Sequence, residues 1–178
     1  MVLRAFVLLA ALAVPLGAHE TGFPEKTLKG VFPEATGFAA RKKTLTPDQV
    51  KRIETASGSK LQKNDNPLTF YVALGKTTDG SGVLGTVVLV DARGPKGVLD
   101  LAVGFKRDGT VQRVLVVENK DDPGLNADSF LIQFKGKSAQ SSLAVGKEVR
   151  FGGDARSAEA LTGAVRRAMH LLAAAEGK

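Results

Sequence analysis

The sequence predicts an α+β fold: an antiparallel sheet of about four strands, flanked by helices and closed by a C-terminal helix. Three observations predict it. Leu99, Leu101, Val103 and Phe105 alternate with smaller or polar residues, the period of a half-buried strand, and Asp108-Gly109 follows as a hairpin turn. Thr46, Pro47 and Gln49 spell a helix start, with a capping residue, a proline suited to the first helical position and the second half of a capping box. Leu161, Val165, Ala168 and Leu172 recur at helical spacing, which places Arg166 and Arg167 on the other face.

The elements run in this order. Met1–Arg4 is short and basic, Ala5–Leu16 is apolar and uncharged, and small residues follow, the layout of a secretory signal peptide cut after Ala18. The apolar run is shorter than the roughly 20 residues that span a bilayer. Residues 19–45 read as an irregular N-terminal arm with one short helix around Lys26–Phe32. Residues 46–178 form the domain. Its first helix carries Val50 and Ile53 on one face and stops at Gly58. Strands follow at Thr69–Leu74 and Val83–Asp91, with Gly80 and Gly82 turning the chain between them. After a turn at Gly94-Pro95 come the alternating strand, the hairpin turn and a returning strand, Val111–Glu118. An interrupted helical segment lies near Ser129–Phe134, and the closing helix ends the chain.

Composition narrows the function. The chain of 178 residues has no cysteine, which excludes a lipid-accepting Cys, disulfides, thiolate iron–sulfur sites, CxxCH haem attachment and cysteine zinc sites. The two histidines, His19 and His170, stand far apart and suggest a solvated terminus and a packed or surface position rather than metal ligands. A net charge of +7, lowered by one when Arg4 is cleaved off, favours acidic partners or anionic ligands. The basic residues are scattered, with one Tyr and no Trp beside them, so nothing marks a nucleic-acid surface. Neither a Ser–His–Asp set, a metal-ligand cluster nor a Walker loop is present, so the residues spell no catalytic constellation.

Two loops carry the chemical interest. In Asp121-Asp122-Pro123-Gly124-Leu125-Asn126, Pro123 fixes φ and Gly124 can take positive φ, which suits a type II turn. Such a turn presents backbone N–H groups and the Leu125 side chain to whatever lies beside it, or simply connects strand to helix. In the second loop, Gly152 and Gly153 lead straight into the closing helix. A helix N-terminus has unpaired N–H groups and partial positive charge, so it can hold a phosphate, and Lys147, Arg150 and Arg156 add charge. Asp154 is the natural N-cap and competes for the same donors, so a plain capped helix fits equally.

Taken together, the loops and the segments before them resemble the FMN-binding domain family, the small exported domain that carries flavin in subunits of ion-pumping NADH:quinone and ferredoxin:NAD reductases. Residues 121–126 resemble its E-T-P-G-L-G-like loop, Phe134-Lys135-Gly136-Lys137 its F-x-G-K segment, and Gly152 to Val165 its S-G-A-T-x-S-S-x-A-V-x-x-A-V helix start. The resemblance implies FMN and electron transfer outside the cytoplasm, in the periplasm, with extracytoplasmic redox proteins, acidic or membrane-embedded, as partners. It also implies a cofactor site made of Pro123, Gly124, Leu125, Gly152, Gly153, Asp154, Ala155, Arg156 and Ser157. One departure is decisive for attachment. Where the family joins a Thr or Ser hydroxyl to the FMN phosphate, this chain has Ala155, which has no oxygen, so that bond cannot form. Thr162 stands about two helical turns on, too far to substitute, and Ser157 can at most hydrogen-bond a phosphate.

Three readings follow. The domain binds FMN non-covalently, with Leu125 packed on the ring and the helix start at Gly153–Ser157 on the phosphate. Or it has lost its flavin and serves as a structural or docking subunit of an exported redox complex. Or its pocket takes another anionic ligand.

Overall fold

A computed structural model describes residues 23–177. The predicted signal peptide, residues 1–18, and His19 lie outside the described residues. The element order is α1 (Glu25–Val31), β1 (Gly37–Lys43), α2 (Pro47–Ser57), β2 (Leu68–Leu74), β3 (Val83–Arg93), β4 (Val98–Lys106), β5 (Val111–Asn119), α3 (Asp128–Leu131) and α4 (Ala155–Ala175). Short 3-10 turns at Lys63–Asp65, Pro123–Asn126 and Ile132–Phe134 join them.

The α+β class is as the sequence predicts, with five strands rather than about four. The sheet is an antiparallel meander in the order β1-β2-β3-β4-β5. The additional strand, β1, comes from the stretch read as an irregular arm. Its last four residues, Ala40–Lys43, are all exposed, so it lacks the apolar alternation that betrays a strand with one buried face.

Local signals elsewhere fold as they read. The Thr46 hydroxyl accepts the Gln49 N–H at 3.2 Å, and the Gln49 side chain accepts the Thr46 N–H at 3.0 Å. Gly58 ends α2 at φ 66°, and Gly109 turns the β4–β5 hairpin at φ 82°.

The sheet has a core on each face. On one, α4 lays Leu161, Val165, Ala168 and Leu172 against Val88, Val90, Leu101 and Val103. On the other, Leu28, Val31 and Phe32 of α1 and its exit cover Ala73, Val87 and Ala102. Two strand glycines set the approach of α1. A Cβ at Gly104 would lie 2.2 Å from Val31 Cγ1, and one at Gly85 would lie 2.6 Å from the Phe32 ring. No helix among the described residues is long and apolar enough to cross a membrane.

One expectation for α4 is corrected. Arg167, read as facing outward, is 2 % exposed. Its Nε lies 2.8 Å from Asp65 Oδ2, and its other nitrogens donate to Ser59 Oγ and the Asp91 carbonyl. The reason is that α4 packs on two neighbours, the sheet and α2, so its buried arc is wider than a single apolar stripe.

Candidate functional site

The sheet brings the two loops together. Where β5 ends, Asn119 organises the first: its side-chain amide donates to the Asp122 carbonyl at 2.8 Å and to Asn126 Oδ1 at 2.9 Å, and its oxygen accepts the Asp121 N–H at 2.8 Å. Asp122 then caps Pro123–Asn126, with Oδ1 accepting the Gly124 N–H at 2.9 Å. The stretch is therefore a capped 3-10 turn with Pro123 at its start, not the type II turn expected. Gly124 keeps negative φ, since it is absent from the positive-φ glycines. Leu125 is also corrected. It is fully buried in the main core under α4 and is not presented to the loop's outer side.

The second loop is fixed by aromatic stacking and one amide clamp. Phe151 packs on Phe130 with ring centroids 4.8 Å apart, and Phe130 meets Phe134 edge-on at 5.6 Å. The Gln133 side chain accepts the Arg150 N–H and donates to the Arg150 carbonyl, each at 2.8 Å. Asp154 caps α4 as predicted, accepting the Arg156 N–H at 2.9 Å. Its other oxygen pairs with the Arg156 guanidinium at 3.0 Å. Hydrogen bonds from the Arg156 side chain, then from its backbone, hold the Asp154 carboxyl below its ordinary value.

Two consecutive acids staple the loops to each other. Asp122 Oδ2 accepts the Asp154 N–H at 3.3 Å, so a single carboxylate spans from the 3-10 turn to the start of α4. Asp121 Oδ1 accepts the Ser157 hydroxyl at 2.9 Å, and Ser157 is fully buried. The second Asp121 oxygen has no hydrogen-bond partner and lies against Gly94, where a Cβ would stand 1.4 Å from it. Lys96 approaches Asp122 at 3.9 Å, and Arg156 pairs with Asp154.

The glycines of the two loops answer to these neighbours. A Cβ at Gly153 would lie 2.6 Å from Phe151 and 2.7 Å from Asp122, and one at Gly124 would lie 3.1 Å from Asp122 and 3.2 Å from Phe151. Gly152 has open space around it and is exposed, as are Pro123, Ala155 and Arg156. Between the loops lies a shallow cleft of about 400 Å³ whose walls include Asp122, Gly124, Phe151, Gly152 and Gly153. A larger hollow, about 820 Å³, lies elsewhere, between the end of α1 and α3 across β5, and none of the nine predicted site residues lines it.

The FMN phosphate can be tested against this arrangement, and the first turn of α4 does not fit it. Three donors at this helix start, the Asp154 and Arg156 N–H groups and the Ser157 hydroxyl, already serve Asp122, Asp154 and Asp121. A phosphate placed there would also meet the carboxyl groups of Asp121, Asp122 and Asp154, and like charges repel. Ser157, the one hydroxyl left near the seat, is buried and committed to Asp121.

Sequence reasoning named the two loops and the N-cap. It named Asp121 and Asp122 only as part of the first loop, without their role toward α4, and missed Asn119, Gln133 and Phe151. The signal for the acids was present, since Asp-Asp-Pro is a strong turn start, but their reach across to α4 is a tertiary fact.

No family model matches the chain, and no curated protein matches it. A crystal structure of NqrC from Shewanella oneidensis is similar to it at 20% sequence identity, over 72% of this chain and 61% of that chain, with a TM-score of 0.42. The chain thus spans less than two thirds of the length of that solved protein.

Proposed function

We propose that this chain is a flavin-free docking subunit of an extracytoplasmic redox complex, an FMN-binding-like domain whose phosphate seat is closed by its own carboxylates. One observation carries the reading: Asp122 spans the Gly124 and Asp154 N–H groups, so an internal anion occupies the donors an external one would need. Ala155 supports it from the sequence side, because no hydroxyl stands at the attachment position. The leader-like Met1–Ala18 segment supports export, and the net charge of +7 favours acidic or membrane-embedded redox proteins as partners.

A second reading is a carrier that binds FMN non-covalently. The cleft between the same two loops favours it, since it gathers Gly124, Gly152 and Gly153 with Arg150 and Phe151. On that reading the flavin would supply the redox chemistry and the protein would tune its exposure.

Visible absorption separates the two. The exported protein is incubated with FMN, desalted and acid-precipitated. Colourless protein is the outcome expected for the docking subunit. A retained flavin spectrum that acid releases into the supernatant would establish the carrier instead.

A further inference from the structure

Positive charge in this protein is concentrated. Residues 41–63 hold seven Lys and Arg against two acids, Asp48 and Glu54, a net of +5 out of +7 for the whole chain. Arg41, Lys42 and Lys43 of β1 and Lys51 and Arg52 of α2 are all exposed. None of these five pairs with an acid among the described residues.

Among the described residues the β1 cations stand on an open strand edge, because β1 pairs with β2 on one side and ends the sheet on the other. Register sets where they point. Arg41 and Lys43 lie opposite Phe70 and Leu68, which face the α4 core, so these two cations are on the α4 side of the sheet. Lys42, opposite Thr69, is on the other side. The large exposed apolar residues Phe23, Leu74, Val117 and Ile132 all lie outside this stretch. The surface therefore offers backbone hydrogen-bonding groups and charge, without the apolar face that seats a helix in a bilayer.

We propose that the outer edge of β1 receives an extended acidic segment of a partner protein as a sixth strand. The inference rests on the docking reading above and names the docking edge. An added strand would satisfy the free backbone edge, and its alternating carboxylates, which all fall on one face, would meet Arg41 and Lys43 there. Lysines on an edge usually block pairing. They do so by repelling a like edge, so the same charges that keep two copies of this chain apart select an acidic strand.

The test uses the full exported chain and a fluorescent peptide of alternating Glu and Val. Fluorescence anisotropy measures binding, and amide hydrogen exchange locates it. The expected result is binding with new protection over residues 37–43, weakened about tenfold or more by the R41E/K42E/K43E variant. A peptide N-methylated at every residue keeps its charge and loses the strand donors of both edges, so it should also bind about tenfold more weakly. That control needs no protein variant and holds even if the triple variant folds poorly. Equal binding of the N-methylated peptide, protection away from β1, or binding only to phosphatidylglycerol vesicles would each overturn the proposal. FMN titrated into the same sample keeps the two readings apart. Flavin uptake would sink the docking reading whatever the peptide does, and a flavin-free protein that ignores the peptide would sink this inference alone.

Discussion

At the first turn of α4, Asp121, Asp122 and Asp154 each accept hydrogen bonds from named donors within the chain, and Arg156 and Lys96 stand beside them. At the outer edge of β1, Arg41, Lys42 and Lys43 are exposed and pair with no acid among the described residues. Both regions are densely charged. The first has spent its charge on holding two loops together, and the second has its charge available to a partner. Formal charge counted along a sequence does not distinguish these cases, because what matters for binding is the charge left over after the protein has satisfied its own donors and acceptors.

Mutations can break or sharpen this contrast. The largest loss should come from Arg167→Ala, since charge fully committed inside the protein is costly to orphan. Removing one partner of a buried pair costs about 3–5 kcal/mol, and Asp65 would be left 1 % exposed without its cation. Urea denaturation measures it, and a loss under about 1 kcal/mol would mean the pair behaves as a surface one. Asp122→Ala comes next. It strips the acceptor from both the Gly124 and Asp154 N–H groups, and unmade hydrogen bonds of this kind cost about 1–3 kcal/mol. Amide exchange should rise at both residues together, and a rise at only one would show that the carboxylate does not staple the loops.

Asp154→Ala should lower the melting midpoint by less, through loss of the α4 cap. Its pH signature has a definite sign. Because Arg156 depresses the folded-state value, the contribution of Asp154 is present above the unfolded carboxyl value of 3.8 and lost as pH falls through the lower folded one. The variant's acid limb should therefore be shallower than the parent's. His170 reports from the basic side. Burial first, and the Arg166 charge second, lower its folded-state value below 6.5. It also shares a small hollow with Arg52. A histidine shifted down contributes stability that declines as pH falls below the unfolded value of 6.5, and His170→Gln should remove that decline. The smallest effect is expected from R41E/K42E/K43E, which should leave the denaturation midpoint nearly unchanged, because those side chains are exposed and their one hydrogen bond, from Arg41 to the Ala40 carbonyl, is solvent-exposed.

Features settled by neighbours in the sequence were legible from it. The capping box of α2 needs only Thr46 and Gln49, and the β4–β5 turn needs only Asp108 and Gly109. Features settled across the fold were not. β1 has a cationic edge instead of a buried face, so periodicity passed over it. Pro123-Gly124 is compatible with two turn types, and Asn119 together with the Asp122 cap decides for the 3-10 form. Arg167 looked solvent-facing, but Ser59 and Asp65 from the segment after α2 and Asp91 of β3 close around it. For the candidate site, the sequence indicated which loops would meet. It could not show that Asp121 and Asp122 would turn toward α4 and occupy its donors.

The meander order of the sheet also governs how the domain is assembled. Every strand pairs with the strand before it in the chain, and from β2 to β5 each pairing closes only a short loop and loses little chain entropy. Such local pairings form early and quickly. Helix α4 is different: it is the last element made, and it must reach back across most of the chain to β3 and α2. Docking of this helix is the step that joins the chain's late and early segments, and with them the Asp121 and Asp122 contacts. A chain shortened before α4 would be expected to collapse around its hairpins without acquiring a fixed core, and its folding should remain stalled until the helix is supplied in trans.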